Sequence, residues 1–313
     1  MSGTIAEFDL IRRYFAVHAP QHPYNPLGIG DDCALLNVPA GYQLAVTTDT
    51  MVENVHFFAD VDPESLGHKL LAVNLSDLAA MGAEPFAVTL ALTLPATDES
   101  WLQAFSRGFM ALARQYGVDL VGGDTTSGPL TLSVQAMGVV PEGRALLRSG
   151  AQAGDAVYVT GQLGNAGLGL KIKQGYDCNR PDLALQCFNK PQPRIEQGLA
   201  LRGIANACID ISDGLAADLG HILEQSGVGA RLQWERLPLS AQVQEYVERS
   251  NDWRMPLTAG DDYELCFTVP ADFAGQLPGG SIQVGTIEAE PGLRVERAGV
   301  TEIFEAKGYE HFS

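Results

Sequence analysis

The sequence predicts a two-domain protein of mixed α and β structure, and three observations support this fold class. The chain has 313 residues, whereas one domain usually holds roughly 100–200. Segments with helical periodicity alternate with segments of strand periodicity almost throughout. A stretch rich in glycine, proline and polar residues, 141–155, interrupts this alternation. We therefore predict an N-terminal domain over residues 1–147 and a C-terminal α/β domain over 148–313.

The N-terminal half is expected to alternate helices and strands. Gly82 and Gly117 follow two amphipathic segments and predict where those helices end. The segment AVTLALTL alternates in polarity, which is typical of a strand with one more polar face. The predicted elements, in chain order, are helix 7–15, strand 44–48, helix 64–81, strand 87–94, helix 99–116, strand 118–121 and strand 130–140.

The C-terminal half starts again with a strand, 156–160, a glycine-rich turn and a helix. That turn, Gly161–Gly169, has two possible roles: to hold a phosphate on backbone N–H groups, or to let the helix pack closely on the strand. The remaining predicted elements are a connecting loop 181–193, helix 195–207, strand 208–211, helix 215–225 and strands 228–234, 265–269, 281–287 and 293–296.

Charge and cysteine content exclude several classes of protein. Asp and Glu number 38 against 20 Lys and Arg, a formal net charge of −18. This argues against a nucleic-acid binder with a broad basic face and against docking on an anionic membrane, and it permits cation binding. The five cysteines include no CxxC pair, so neither a disulfide framework nor a zinc ribbon fits. With no signal-peptide pattern and no apolar run of about 18–20 residues, we predict a cytoplasmic protein.

The most informative pattern is a set of nine aspartates in six short segments, flanked by Gly, Ser, Thr or apolar residues and never by Lys or Arg. The segments are GIGDDCA, TTDT, NLSDLAAMG, VGGDTT, IDISDGL and AGDDYEL, which contain Asp31, Asp32, Asp49, Asp77, Asp124, Asp210, Asp213, Asp261 and Asp262. We expect Asp49 and Asp124 to stand at the ends of strands. Carboxylates that converge without basic partners raise one another's pKa, so a cation should neutralise them.

The ligand chemistry of these segments indicates hard metal ions. Carboxylates with hydroxyl neighbours such as Thr47 and Ser212 suit Mg²⁺ or Mn²⁺ rather than zinc. Because Mg²⁺ binds through one or two carboxylates plus substrate phosphates, several aspartates predict several metals around a polyphosphate. For Asp31 and Asp262 a turn or helix-capping role is the alternative. Asp77, inside an apolar helix, needs a partner or an ion, and Asn74 faces the same way. For Arg148 the alternatives are a phosphate contact and a surface ion pair.

Eight motifs, taken in order, resemble those of the thiamine-monophosphate kinases, a family of the aminoimidazole-ribonucleotide synthetase superfamily. They are GIGDDCALL, TTDTMVENVHF, KLLAVNLSDLAAMGAEP, VGGDTT, LLRSGAQAGD, IDISDGL, GDDYELCFTVP and KGYEHF. The resemblance extends from about residue 5 to the C-terminus. It implies a two-domain synthetase-like α/β fold whose N-terminal sheet pairs in a homodimer. It also implies Mg²⁺-dependent transfer of the ATP γ-phosphoryl group to thiamine monophosphate, giving thiamine diphosphate and ADP.

The same resemblance assigns roles to individual residues. Metal binding falls to Asp32, Thr47, Thr48, Asp49, Asp77, Asp124, Asp210 and Asp213. ATP contacts fall to Gly123, Asp124, Arg148 and Ser212, and thiamine-phosphate contacts to His56, Asp261 and Tyr309. No catalytic side chain is expected, because the acceptor phosphate is already ionised and positioning with charge neutralisation suffices for a direct in-line transfer.

Two rival interpretations remain at this point. One is another ATP-dependent synthetase of the superfamily, such as a selenophosphate synthetase. Those enzymes usually carry a reactive cysteine in a glycine-rich N-terminal segment, whereas Cys33 here follows GIGDD. The other rival is a non-catalytic protein whose acidic loops bind divalent metal and stabilise the fold. Turnover of ATP would separate this second rival from an enzyme.

Overall fold

The computed structural model describes residues 13–15 and 21–305. The chain divides into two compact units. The first holds the described residues up to Leu78 together with Ala83–Gly143, and the second holds Ala79–Gly82 and the residues from Arg144 onward. In the sequence the division thus falls at 143/144, whereas the predicted domain boundary lies at 147/148.

The first unit contains a four-stranded sheet and two long helices. The strands are β1 (Tyr42–Val52), β2 (Glu84–Leu94), β3 (Asp119–Ser127) and β4 (Thr131–Pro141), and the helices are α1 (Pro63–Ala80) and α2 (Glu99–Gln115). The strand order is β1–β4–β2–β3. β4 runs antiparallel to both of its neighbours, and β2 and β3 are parallel. β1 and β3 are therefore the two edges of the sheet.

Local sequence explains where α2 starts and how closely α1 and α2 approach each other. Asp98 caps α2, since its carboxylate accepts the N–H groups of Ser100 and Trp101 at 2.9 and 3.1 Å. Gly67 in α1 and Gly108 in α2 lie where the helices meet, and a Cβ on either would overlap the backbone of the opposite helix. Glycine is thus required at this crossing, which holds α1 in place beside the sheet.

The second unit contains a seven-stranded sheet of order β11–β10–β7–β9–β5–β8–β6. Its strands are β5 (Ala156–Thr160), β6 (Ala207–Asp210), β7 (Gly229–Gln233), β8 (Leu265–Val269), β9 (Ser281–Glu288), β10 (Gly292–Arg297) and β11 (Val300–Phe304). Its helices are α3 (Asn165–Lys173), α4 (Asp182–Asn189), α5 (Ile195–Leu201), α6 (Leu215–Ser226), α7 (Ala241–Ser250) and α8 (Met255–Thr258). Buried aliphatic residues from the sheet and α6 form its main core.

Several predicted elements are wrong in detail. β1 and β3 are longer than expected, so Asp49 and Asp124 lie within strands and not at their ends. The expected loop 181–193 contains α4, which buries Ala184 and Phe188 against α3. This packing stabilises the helix, and local sequence does not reveal it. Helix 195–207 is also wrong, because the helix ends at Leu201. Two helices, α7 and α8, and one strand, β11, were not predicted. The helix predicted at 7–15 lies mostly outside the described residues.

The mixed α/β fold class with two units is confirmed, and β5 and β8 have the predicted bounds. Among the helices of the described ranges, none is long and apolar enough to cross a bilayer. All five cysteines are free thiols.

Candidate active site

In the first unit, polar side chains of β1 and α1 meet. Thr47 and Asp49 lie on the same face of β1, because side chains alternate along a strand. The Thr47 hydroxyl donates a hydrogen bond to the Asp77 carboxylate. The Asp49 N–H donates to Asn74 Oδ1 at 3.1 Å. The expectation that Asn74 and Asp77 face the same way is thus confirmed, and the partner that Asp77 requires is a threonine hydroxyl.

The electrostatics of this cluster favour a cation. Burial, followed by the charge of the Asp77 carboxylate, raises the pKa of Asp49 to about 6. The donor set of Thr47, Asp49 and Asp77 consists of oxygen atoms only, which is what Mg²⁺ prefers. Over the ranges that the structure describes, no three His, Cys, Asp or Glu side chains form a group that could hold a metal ion by themselves. Two carboxylates nevertheless fit Mg²⁺, which commonly takes its other ligands from phosphates and water.

Sheet order separates other predicted ligands from this cluster. Asp49, Val134, Leu90 and Gly123 are register partners in one row across the sheet, so Asp124 belongs to the opposite face. Three strand spacings of about 4.8 Å put β3 about 14 Å from β1. The exposed Thr48 also faces away from Thr47 and Asp49. Within the first unit, the structure does not bring these residues together.

Gly123 has a structural reason to be glycine, because a Cβ there would overlap the Leu90 carbonyl of the neighbouring strand. The exposed Asp32 lies in a short turn closed by the Leu35 N–H, which donates to the Leu27 carbonyl at 3.0 Å.

His56 lies in the turn that follows β1. Its Nδ1 accepts the N–H of Val52 at 3.0 Å, and its own N–H donates to the Val52 carbonyl at 2.9 Å. An Nδ1 that accepts a hydrogen bond places the proton of the neutral imidazole on Nε2. The turn therefore fixes both the orientation and the tautomer of this side chain.

In the second unit, the end of β6 and the sharp loop that joins it to α6 contain three of the predicted site residues. Asp210 is the last residue of the strand, and Ser212 and Asp213 lie in the loop. The Asp218 carboxylate accepts the Asp213 N–H at 3.0 Å and so holds the loop from the first turn of α6. Burial raises the pKa of Asp218 to about 8, and the Asp210 carboxylate contributes in the same direction. The sequence interpretation missed Asp218. A charged residue on the apolar side of α6, beside Leu215 and Leu219, was the available signal.

The segment Gly260–Tyr263 is bound to this loop through its backbone. The Asp261 N–H donates to the Ser212 carbonyl at 2.9 Å, and the Tyr263 N–H donates to the Ile211 carbonyl at 2.8 Å. Asp261, Ser212 and Asp213 therefore share one region of the second unit. Tyr263 was likewise missed by the sequence interpretation.

Asp262 caps a helix, which is one of the roles that the sequence allowed for this residue. Its carboxylate accepts the N–H groups of Gly164 and Ala166 at 2.7 and 3.3 Å, at the N-terminus of α3. Burial raises the pKa of Asp262 to about 8, although these two hydrogen bonds act in the opposite direction. Because Asp262 occupies these donors, the glycine-rich turn does not fit the phosphate-binding alternative. Its glycines serve close packing instead: a Cβ on Gly169 would overlap α4.

Two predicted contacts remain, Arg148 and Tyr309. Arg148 is exposed, and it follows Leu147, whose carbonyl accepts the Cys208 N–H of β6 at 2.8 Å. Tyr309 lies outside the described residues.

Comparison with known proteins identifies the class first. The model of the AIR synthase related protein N-terminal domain matches residues 30–140, and that of the C-terminal domain matches residues 152–296. With its two α/β units and its acidic glycine-flanked loops, the chain has the architecture of an AIR synthase related protein.

Individual relatives identify the family to which the chain belongs within this class. The thiamine-monophosphate kinase of Salmonella typhimurium is 48% identical over an alignment of 323 positions that covers 98% of each chain. The crystal structure of thiamine-monophosphate kinase from Stenotrophomonas maltophilia has a TM-score of 0.84 and 44% identity, covering 93% of this chain and 96% of that one. AaThiL complexed with AMPPCP and TMP has a TM-score of 0.80 and 33% identity, covering 91% and 92%. This chain belongs to the thiamine-monophosphate kinase family, so the resemblance seen in its motifs is confirmed.

Proposed function

We propose that this protein transfers the γ-phosphoryl group of ATP to thiamine monophosphate, giving thiamine diphosphate and ADP. The observation that carries the proposal is the 48% identity to the Salmonella typhimurium kinase over 98% of both chains. The proposed substrates agree with AaThiL, whose solved structure contains AMPPCP, an ATP analogue, together with TMP.

We also propose a cytoplasmic location for this protein, because its five free thiols suit a reducing compartment.

The proposed roles follow the motifs. Mg²⁺ would be held by Asp32, Thr47, Thr48, Asp49, Asp77 and Asp124 of the first unit and by Asp210 and Asp213 of the second. Gly123, Asp124, Arg148 and Ser212 would contact ATP, and His56, Asp261 and Tyr309 would contact the thiamine phosphate. When bound, Mg²⁺ neutralises phosphate charge. The oxygen-only cluster on β1 and α1 supports this assignment.

In the proposed reaction, an oxygen of the acceptor phosphate bonds to the γ-phosphorus while the bond from that phosphorus to the β–γ bridging oxygen breaks, and ADP leaves. The acceptor is already ionised, so the protein needs no general base. The task of its side chains is to orient the two phosphate groups in line, because such transfers depend on positioning together with charge neutralisation. The turn that fixes His56 and the hydrogen-bonded backbone around Ser212 and Asp261 suit that task.

We also propose a homodimer formed through the first sheet. Leu44 and Val46 point out from the edge strand β1 and are 45% and 51% exposed. Apolar side chains on an edge strand are normally covered, because such edges otherwise aggregate. A dimer could also supply from a second copy the ligands that sheet order keeps apart within one chain. Val46→Glu should shift the sedimentation coefficient to that of a monomer; a wild-type monomer would contradict the dimer.

The kinase activity is tested by Mg²⁺-dependent ADP formation. Thiamine monophosphate should stimulate ADP release well above the ATP-only rate, and thiamine, which lacks the acceptor phosphate, should not. Absence of stimulation would argue for a non-catalytic metal-binding protein or a different synthetase. With γ-labelled ATP, the label should appear in thiamine diphosphate and never on the protein, and a trapped phospho-enzyme would contradict direct transfer.

A further inference from the structure

The segment Gly260–Tyr263 has a strained backbone. Asp261 and Tyr263 have φ angles of 69° and 49°, so two non-glycine residues occupy the left-handed region within one short loop. This conformation is uncommon for residues with a Cβ, above all for an aromatic one. It persists only where surrounding contacts determine it, and such residues concentrate at functional sites.

The contacts that hold this backbone come from two places, the loop after β6 and the N-terminus of α3. The N–H groups of Asp261 and Tyr263 donate to the carbonyls of Ser212 and Ile211, and the Asp262 carboxylate caps α3. A Cβ at Gly260 would overlap the Ser212 carbonyl, so the two segments are in direct backbone contact. The position of the Asp261 backbone is thus determined before any ligand binds.

The orientation of the Asp261 side chain depends on Tyr263. The Tyr263 hydroxyl donates a hydrogen bond to Asp261 Oδ1 at 3.0 Å. Tyr263 is only 9% exposed, so packing restricts its ring and its hydroxyl has little freedom to move. A donor held in this way selects one rotamer of the Asp261 carboxylate and makes a charge-assisted hydrogen bond with it.

We propose that Tyr263 is a positioning residue for acceptor recognition, which acts by fixing the carboxylate of Asp261. This inference rests on the proposed function, in which Asp261 contacts the thiamine phosphate. The alternative is that Tyr263 only fills the interior of the second unit. In that case its hydroxyl would matter for stability and not for affinity toward one substrate.

Tyr263→Phe keeps the ring and removes the hydroxyl. Loss of a hydrogen bond to a charged group typically changes an equilibrium constant about tenfold or more, and here that equilibrium is the one between the fixed rotamer of Asp261 and its other rotamers. We expect KM for thiamine monophosphate to rise about tenfold, while kcat and KM for ATP change less than about twofold. Tyr246→Phe is the matched control, because the Tyr246 hydroxyl also donates to a carboxylate, that of Asp252, at 3.0 Å. It should leave KM for thiamine monophosphate unchanged.

A double-mutant cycle tests whether Tyr263 acts through Asp261. Asp261→Asn alone should raise KM for thiamine monophosphate, and adding Tyr263→Phe should raise it little further, because the two residues act as a unit. Fully additive effects would overturn the inference. So would a Tyr263→Phe protein that fails to fold under conditions where Tyr246→Phe folds, since the hydroxyl would then be structural.

Direct calorimetric titration with thiamine monophosphate separates this inference from the proposed function. If the wild type shows no turnover but Tyr263→Phe binds thiamine monophosphate more weakly than the wild type does, the kinase activity is contradicted and the positioning role is supported. Turnover in the wild type with equal binding in both proteins would support the kinase and overturn the positioning role. A wild type that does not bind thiamine monophosphate would overturn both.

Discussion

Asp49→Asn is expected to stabilise the metal-free protein at alkaline pH and to weaken its response to Mg²⁺. Asp49 lies on the face of β1 that contacts α1, near the Asp77 carboxylate. Asparagine has nearly the same shape and removes the charge. The hydrogen bond between the Asp49 N–H and Asn74 comes from the backbone, so the substitution leaves it in place.

The magnitude of the stability change follows from the pKa of Asp49. Burial, followed by the Asp77 charge, raises this pKa from its ordinary 3.8 to about 6. A carboxyl group with a raised pKa holds its proton more tightly in the folded state. Its contribution to stability is therefore complete below pH 3.8 and is lost as the pH rises through 6. At about 1.4 kcal/mol per pKa unit the full loss is at most about 3 kcal/mol. About 1 kcal/mol of it develops between pH 5 and pH 8.

The measurement is urea unfolding in EDTA at pH 5 and pH 8 for the wild type, Asp49→Asn and Asp272→Asn. The last variant removes an exposed aspartate and controls for net charge. The advantage of Asp49→Asn over the wild type should grow by about 1 kcal/mol from pH 5 to pH 8. Added MgCl₂ should then stabilise the wild type and Asp272→Asn more than Asp49→Asn, because a bound cation stabilises only the protein that retains its ligands.

Three results would contradict this prediction. If Asp49→Asn is no more stable than the wild type at pH 8, the buried charge does not cost what its environment indicates. If the difference between the two proteins is the same at both pH values, its origin is packing and not ionisation. Equal stabilisation of all three proteins by Mg²⁺ would remove Asp49 from the proposed metal ligands.

Three further predictions concern single sites. Asp124→Asn should lower thiamine-monophosphate-dependent turnover by about 100-fold or more, yet change the free energy of unfolding by less than about 0.5 kcal/mol, because Asp124 is exposed. Gly161→Ala should destabilise by about 3 kcal/mol in urea unfolding, since its φ is 55° and its Cβ would displace the Glu264 carboxylate. In a timed iodoacetamide reaction followed by mass spectrometry, exposed Cys33 should react first, and the buried Cys208 and Cys266, whose pKa values burial raises, last.

Each of these predictions has a control. Asp272→Asn should retain full turnover; if Asp124→Asn does too, Asp124 is not a ligand. Gly154→Ala has a φ of 98° but open space around it, so it should cost less than Gly161→Ala. Equal costs would mean that backbone strain, and not the displaced Glu264, causes the effect. In denaturant Cys33 and Cys266 should react at similar rates, and a native Cys266 that reacts early would contradict its burial.

The Glu264 carboxylate shows why some residues of the second unit escaped prediction. It accepts hydrogen bonds from Arg194 Nε and the Thr160 hydroxyl, both at 2.6 Å, although Arg194 is 70 positions away in the chain. No local pattern connects these residues. Asp262 is a similar case, because a turn and a helix cap were both compatible with its sequence and only its contacts with Gly164 and Ala166 decided between them.

The ends of β1 and β3 were also predicted wrongly, for a related reason. The polar residues of TTDT and the glycines of VGGDTT resemble the end of a strand. Pairing with β4 extends β1 to Val52, and pairing with β2 extends β3 to Ser127. Tertiary hydrogen bonding outweighs weak local propensity, since each added residue satisfies backbone groups that would otherwise need other partners.

The sequence by itself determined the chemistry of this protein: aspartates beside glycines, hydroxyl neighbours, a deficit of basic residues, and motifs that identify the family. Residue type sets which ligands a side chain can bind, and motif order needs no knowledge of the fold. Only the tertiary structure decided which groups meet. It brought Asp49 to Asp77, placed Asp124 on the other face and the far edge of the sheet, and joined Tyr263 to Asp261. The reason is that strand order, register and loop contacts depend on pairing between distant segments, which local periodicity does not encode.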